Sequence, residues 1–217
     1  MNTPSSRRAG RPKSHEKRTA ILNAAGDAFL EQGFDATSVE AIAARAGVSK
    51  QTVYSHFETK EALLHAVVGN KVAAYEFADA STLWRRPPRE GLGELARGHL
   101  ELLLDPEVVA MHRVVIAECQ RSPGLAQAFW ASGPERTVGR VADCIEHWAE
   151  AGALALDPGL AAPVAARHAA SQFLALLGGE YRWGAVLNVV DTVDRDELDA
   201  HVDRTVEAFL KLYGSSA

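Results

Sequence analysis

Residues 50–56, KQTVYSH, carry side chains whose types and spacing suit the binding of a nucleic acid. Lys50, Gln51, Tyr54 and His56 offer positive charge together with hydrogen-bond donors and acceptors. Such groups read base edges in a DNA major groove, where a Gln amide pairs with adenine through two hydrogen bonds. An ordinary helical hairpin with a solvated polar face would carry similar residues, so the pattern alone leaves both interpretations open.

Two short helices joined by a tight turn are predicted to position this polar face. Thr37, with Glu40 three residues later, has the capping-box spacing that begins a helix. Apolar residues then recur with helical spacing at 39, 42, 43 and 46. Gly47 suits the left-handed backbone of a helix end, and Ser49 can cap the second helix. The pattern therefore predicts helix, turn and helix within 24 residues, 37–60.

The second of these helices is divided in the way that a DNA-recognition helix requires. Val53 and Phe57 point to one side and anchor the helix to its own domain, while the polar side chains point elsewhere. This stretch resembles the DNA-binding segment of the TetR family of transcriptional regulators. The matching pieces are Thr37, Ala46-Gly47-Val48-Ser49, Lys50, Thr52-Val53-Tyr54, His56-Phe57 and Lys60-Glu61-Ala62-Leu63.

The resemblance implies roles for individual side chains. It implies phosphate contacts for Tyr54, Lys60 and the Thr37 hydroxyl. It also implies that residues 50–52 face base edges, and we expect Gln51 among them to contribute most to specificity. The full predicted DNA-binding set is Thr37, Ser49, Lys50, Gln51, Thr52, Tyr54, His56 and Lys60.

Charge is distributed unevenly along the 217 residues, whose net charge is −5. Residues 1–60 carry nine Lys or Arg and six Asp or Glu, whereas residues 61–217 carry fourteen and twenty-two. A basic N-terminal module on an acidic body is expected where only one end of a protein contacts phosphates.

Cysteine spacing and hydropathy indicate in which cellular compartment the protein resides. Cys119 and Cys144 lack C-x-x-C spacing and are interpreted as two buried thiols. No apolar run approaches the length of a membrane span, and the polar, basic N-terminus lacks the apolar segment of a signal peptide. We therefore predict a cytoplasmic protein without membrane association.

An all-α fold of about nine helices is predicted, because no strand-like alternation of any length appears. Residues 1–13 are expected to form a flexible basic tail, whose arginines could reach a minor groove or serve only solubility. Residues 14–59 are the predicted helix-turn-helix DNA-binding domain. Residues 60–217 are the predicted effector-binding and dimerisation domain.

Helix boundaries follow from caps, glycines and prolines. The first helix is predicted from Ser14 to Gln32, and a long connector helix from 60 to about 81. One long helix, or a pair broken near Gly133, is predicted over 125–151. A further helix over 164–177 is expected to stop at Gly178-Gly179, and the last begins at a cap, Asp194.

Large or polarizable residues on several body helices suggest an effector site. The resemblance implies that ligands bind among these helices, and the residue types favour a mostly apolar pocket without obvious charged clamps. The candidates are Tyr75, Trp84, Met111, His112, Val115, Cys119, Phe129, Trp130, Trp148 and Phe173. A metal site at His99, His112 and His147 was weighed against ordinary histidines, which are favoured, so no metal or cofactor is predicted.

The last two helices carry an apolar stripe that could form a homodimer interface. The resemblance implies that they pair with their symmetry mates, and two-fold dimers gain affinity by reading two half-sites. The predicted interface residues are Phe173, Leu177, Leu198, Val202, Val206, Phe209 and Tyr213.

From these expectations we predict a ligand-responsive transcriptional regulator, specifically a repressor released from operator DNA by an apolar or aromatic small molecule. No phosphate-binding loop, H-E-x-x-H or G-x-S-x-G motif supports an enzyme. The alternative is a helical small-molecule carrier or enzyme with a vestigial DNA-binding module. Salt-dependent DNA binding separates the two hypotheses.

Overall fold

The computed structural model describes residues 11–75, 83–189 and 193–215, and within them the side chains of 15–74, 83–189 and 193–215. These ranges form ten helices and one isolated bridge between Leu154 and Gly214, so the all-α prediction is confirmed. The helices are α1 Arg11–Gln32, α2 Val39–Arg45, α3 Lys50–His56, α4 Lys60–Tyr75, α5 Pro88–Leu104, α6 Pro106–Glu118, α7 Pro123–Ser132, α8 Pro134–Glu150, α9 Ala162–Val186 and α10 Arg195–Tyr213.

The turn between α2 and α3 forms as its residues predict. Gly47 has a φ of 65°, a left-handed conformation that glycine adopts without a Cβ penalty. The Ser49 hydroxyl accepts the Thr52 N–H at 3.1 Å and so caps α3. At α2, however, the cap is Ser38, whose hydroxyl accepts the Ala41 N–H at 3.1 Å. The prediction that Thr37 caps α2 is therefore wrong by one residue.

One hydrophobic core joins α1–α3 to the helices that follow. Phe29, Phe34 and Ile42 are buried in it together with Leu64 of α4 and Met111 of α6. Contacts of α1 with α2, α4 and α6 run through this core. The apolar packing thus continues past residue 59. The predicted boundary between the two domains at residues 59 and 60 stays a prediction.

A second core lies between α5, α8, α9 and α10. Trp148, Phe173 and Phe209 are fully buried in it, and the Phe173 and Phe209 rings meet edge to face at 5.2 Å. The Trp148 indole N–H donates to the Arg86 main-chain oxygen at 2.9 Å, which satisfies the one polar atom of that side chain. Gly91 allows α5 to approach this indole closely.

Several predicted helix ends differ from the observed ones. α1 already includes residues 11–13, so Ser14 does not begin it and residues 11–13 do not belong to a tail. Residues 1–10, and the connector beyond Tyr75 as far as residue 82, lie outside the described residues. The break near Gly133 divides α7 from α8, which confirms the broken pair.

The prediction that Gly178-Gly179 ends a helix is wrong. α9 continues through both glycines to Val186, because an interior glycine weakens a helix by only about 1 kcal/mol and does not by itself stop it. A Cβ at Gly178 would lie 2.8 Å from Leu103 Cδ1, so this glycine serves close packing of α9 against α5.

Candidate nucleic-acid interface and effector cavity

The outward face of α3 carries most of the predicted DNA contacts. Lys50, Gln51 and Ser49 are exposed, and the Tyr54 side chain is 45% exposed, whereas Val53 on the opposite face is buried. The ring of Tyr54 lies 5.7 Å from Lys50 Nζ. Thr52 and His56 are half-buried at the edges of this face. The side chains predicted to contact base edges are thus brought together on one surface.

Lys50 forms an ion pair with Glu40 of α2. This hydrogen bond raises the pKa of Lys50 and lowers the pKa of the Glu40 carboxyl. The pair keeps a carboxylate beside the recognition face neutralised, and it leaves other N–H donors of the exposed Lys50 ammonium available.

Thr37 lies inside the module and not on its surface. Its side chain is 2% exposed, and its hydroxyl donates to the main-chain oxygens of Gly33 at 2.7 Å and Ala28 at 3.0 Å. The predicted phosphate contact of Thr37 is therefore corrected: both interactions of this hydroxyl hold the α1–α2 loop.

Lys60 likewise forms its hydrogen bonds within the module. Its ammonium donates to the main-chain oxygens of Phe34 at 2.6 Å, Thr37 at 3.1 Å and Asp35 at 3.3 Å. All three ammonium hydrogens are thereby directed at carbonyls, so the predicted phosphate contact is not formed by this arrangement.

A cavity of about 800 Å³ lies between α1, α4 and the helices α5–α9. Apolar residues such as Leu102, Leu103, Val108 and Met111 form much of its wall. Its volume falls in the range of sites that bind drug-sized molecules. Because α1 belongs to the helix-turn-helix module, a molecule in this cavity would touch the DNA-binding part of the chain directly.

Four of the predicted effector-site residues line this cavity: Met111, His112, Phe129 and Trp130. The others do not. Trp148 and Phe173 fill the second core, Val115 the first, Trp84 stacks on His147 at 4.7 Å, and Cys119 caps α6. Tyr75 ends α4, and its side chain lies outside the described part of the chain.

Sequence reasoning missed the contribution of α1 to the cavity. Leu22, Asn23, Gly26, Asp27 and Leu30 line one side of it. Their i, i+4 spacing reads equally well as an ordinary helix face, so no local signal could have assigned them. Asp27 also lies 3.2 Å from Arg45 at the end of α2, and thus contacts both the cavity and the helix-turn-helix.

Two histidines lie at the polar end of the cavity. His112 Nδ1 is 2.8 Å from the Val108 carbonyl, which can only accept, so this nitrogen carries the proton and Nε2 of the neutral ring is an acceptor. Burial lowers the pKa of His112. Burial, and secondarily the charge of Arg182, lowers the pKa of His99 to about 4, which makes this ring neutral at pH 7.

The cations that line the cavity differ in whether they form an ion pair with a carboxylate. Lys71 lies 3.0 Å from Asp105 and 2.8 Å from Glu107, and Arg167 lies 2.7 Å from Glu135. Arg182 contacts the Trp183 ring at 5.2 Å but forms no ion pair with any residue of the described ranges. Charged side chains therefore line a pocket that was expected to lack obvious charged clamps.

Most of the predicted dimer-interface residues pack inside the chain itself. Phe173, Leu177, Val202, Val206 and Phe209 are at most 2% exposed in the second core, and Leu198 and Tyr213 pack against it. The stripe that suggested an interface is thus this subunit's own core. Large apolar residues that remain exposed on α9 and α10 are Val164, Leu176, Trp183 and Leu212.

Comparison with known proteins decides the family. A model of the C-terminal domain of AefR-like transcriptional repressors matches residues 90–215, and a model of bacterial regulatory proteins of the tetR family matches residues 21–67. The chain belongs to the TetR family of transcriptional regulators. Regulators of this family bind operator DNA and are not enzymes, so the enzymatic alternative is set aside.

Solved TetR-family structures resemble the whole chain. A regulator from Mesorhizobium loti is 32% identical, with a TM-score of 0.75 over 94% of this chain and all of that one. The flavonoid-responsive regulator FrrA is 33% identical, with a TM-score of 0.71 and the same coverage. The regulator YdeS of Bacillus subtilis is 49% identical over 55 residues, but this match spans only 28% of that protein and 25% of this chain.

Among the residues that the structure describes, no helix is long and apolar enough to cross a membrane. No three of the His, Cys, Asp and Glu side chains in this part of the chain are grouped as a metal site would require.

Proposed function

We propose that this TetR-family regulator is a repressor that leaves its operator when a mostly apolar small molecule binds in the cavity between α1, α4 and α5–α9. The observation that carries the proposal is that one cavity is lined both by the body helices and by α1 of the DNA-binding module. The match to a repressor-type C-terminal domain supports repression over activation.

DNA contact is assigned to the exposed face of α3. Lys50, Gln51 and Thr52 would face base edges, while Tyr54 would contact a phosphate. Ser49 and His56 flank this face, and Ser49 also sets the start of the helix that presents it. Thr37 and Lys60 support the same helices from inside the module.

Release of DNA would follow from a movement of α1 that carries α2 with it. Asp27 and Glu31 of α1 both lie within ion-pair distance of Arg45, the last residue of α2, at 3.2 Å and 2.6 Å. An effector that displaces α1 at the cavity would therefore tilt the helix-turn-helix. Such an effector must bind the DNA-incompetent state more tightly, because equal affinity for both states shifts nothing.

A two-fold homodimer is part of the proposal. One α3 helix spans only a few base pairs, and paired half-sites supply the missing affinity. The exposed apolar residues of α9 and α10, including Leu176 and Leu212, support an interface on these helices. Such a dimer would act in the cytoplasm, where operator DNA is accessible.

Selection of binding sites from random DNA by the purified full-length protein tests this function. An inverted repeat with half-sites about one helical turn or more apart is expected. Adding aromatic and aliphatic small molecules to the selected complex should then lower operator affinity by about 5- to 150-fold for those that act. Failure to enrich any sequence, with binding independent of salt, would contradict the proposal and favour a carrier with a vestigial module.

A further inference from the structure

Arg182 of α9 lines the cavity, and this exposed guanidinium has no carboxylate partner among the described residues. Each carboxylate lining the cavity has its own cation, since Asp27 lies 3.2 Å from Arg45 and Glu107 lies 2.8 Å from Lys71. Among the cavity's cations, Lys71 and Arg167 are paired with carboxylates. Arg182 remains as a surplus guanidinium within the described residues.

Two neutral histidines lie within electrostatic reach of this guanidinium. His99, His112 and Arg182 all line the cavity. Burial lowers the pKa of both histidines, and the charge of Arg182 lowers both further. His99 Nδ1 is shielded from solvent and has no hydrogen-bond partner among the described residues. Because this nitrogen has almost no accessible surface, the charged group that a ligand can reach beside these histidines is Arg182.

The rest of the cavity is suited to an apolar body. Leu102, Val108, Met111 and Phe129 extend from this polar end along α5, α6 and α7. A site with one cation that lacks a carboxylate partner and a largely apolar wall fits a molecule with a single anionic group on a hydrocarbon or aryl frame. An Arg guanidinium binds a carboxylate through two parallel hydrogen bonds, which a neutral group cannot reproduce.

We propose that the cavity selects an amphipathic monocarboxylate, with the carboxylate at Arg182 and the apolar body along α5–α7. This inference rests on the proposed function, because it names the chemical class of effector for the same cavity.

Matched probes that differ only in charge test the inference on the DNA-free full-length protein. The pairs are 2-naphthoate with 2-naphthamide and decanoate with decanamide, titrated by calorimetry and by quenching of Trp130, which lines the cavity. At least one acid should bind about tenfold more tightly than its amide. This ratio corresponds to the lower end of the range for charge-assisted hydrogen bonds, because Arg182 is exposed.

The variant Arg182→Gln should remove that preference and leave amide affinity unchanged. Arg195→Gln is the matched control, because Arg195 is 85% exposed, is paired with Glu101 and does not line the cavity. Equal affinity for acid and amide, no measurable binding of either acid, or an acid preference that survives Arg182→Gln would each overturn the inference.

Operator release is measured separately with the same probes. An acid that binds through Arg182 without releasing DNA supports the ligand class and contradicts only the proposed coupling. Release by the amides alone contradicts the ligand class and leaves the proposed function standing.

Discussion

The ammonium of Lys60 donates a 2.6 Å hydrogen bond to the main-chain oxygen of Phe34 and lies 4.4 Å from the centre of the Phe34 ring. This contact fastens the first turn of α4 to the loop that precedes α2. A residue whose motif position suggested a phosphate contact is thus a structural link between the helix-turn-helix and the connector helix.

Replacing Lys60 should therefore destabilise the protein before it weakens any DNA contact. We expect Lys60→Met to lower the free energy of unfolding by about 2 kcal/mol, because it removes the charge-assisted hydrogen bonds to three carbonyls, of which Phe34 keeps the Thr37 N–H as a partner. Urea unfolding measures this. Lys50→Met is the control, since Lys50 is exposed and its loss should reduce DNA affinity with little change in stability. Unchanged stability of Lys60→Met with a lower salt dependence of DNA binding would restore the phosphate role.

Loss of the Gln51 side chain should change the base preference, whereas loss of the Tyr54 hydroxyl should change the overall affinity for DNA. Gln51→Ala should cost roughly 1–3 kcal/mol at one base position per half-site and relax the preference there. Tyr54→Phe should weaken binding to all operator sequences alike. Competition binding with operators varied one base pair at a time distinguishes the two. A uniform loss of affinity for Gln51→Ala would remove Gln51 from base recognition.

Sequence reasoning was most accurate where the determinants are local. Gly47 and Ser49 fix the turn and the cap of α3 through backbone conformation and one hydrogen bond three residues away. It failed where contacts between residues far apart in the sequence determine the packing. Nothing near Gly178 reveals that Leu103 packs against it, and nothing near Phe209 distinguishes a buried core ring from an interface ring.

The cavity shows the same limit. Met111 and Phe129 were identified by residue type, yet Trp148 and Phe173 have equally suitable types and lie in the core instead. The surplus charge of Arg182 becomes visible only when the partners of Lys71 and Arg167 are known.

Gly91 should tolerate no side chain. A Cβ there would lie 2.4 Å from Trp148 Cζ2 and 3.0 Å from the Leu83 main-chain oxygen, so α5 or the indole must move. We expect Gly91→Ala to lower stability by about 1–3 kcal/mol through overpacking. Gly139→Ala is the matched control, because a Cβ in that helix would meet no atom within 4 Å. It should raise stability by about 0.5–1 kcal/mol. Equal effects of the two substitutions in thermal unfolding would contradict the close contact at Trp148.

The corrected burial of α9 and α10 changes how dimerisation should be tested. Phe209→Glu places a charge in the second core and should unfold the chain. Leu212→Glu and Leu176→Glu alter exposed positions, at 68% and 50% exposure, and should weaken a dimer while preserving helical content. Sedimentation and circular dichroism on the same samples measure both properties. A wild-type monomer at micromolar concentration, or dimers unaffected by both exposed substitutions, would contradict an interface on these helices.

His99 should make stability depend on pH in the acid range. Its pKa is about 4 in the folded chain and 6.5 ordinarily, so below pH 6.5 the unfolded chain binds a proton that the folded chain does not. Stability is therefore lost as pH falls, by about 2 kcal/mol between pH 7 and pH 5 for this group alone. The charged and titratable groups acting on the ring are Arg182 and His112, and both remain in the variant His99→Gln.

Urea unfolding of the wild type and His99→Gln at both pH values isolates this contribution. The wild type should lose about 2 kcal/mol more than the variant on acidification, because the variant cannot take up that proton when it unfolds. The ring resonance of His99, followed by NMR, should not titrate above pH 5. A His99 resonance that titrates near pH 6.5, or parallel losses of stability in the two proteins, would mean that this ring is solvated, and the cavity would then lack the dry polar end that its geometry indicates.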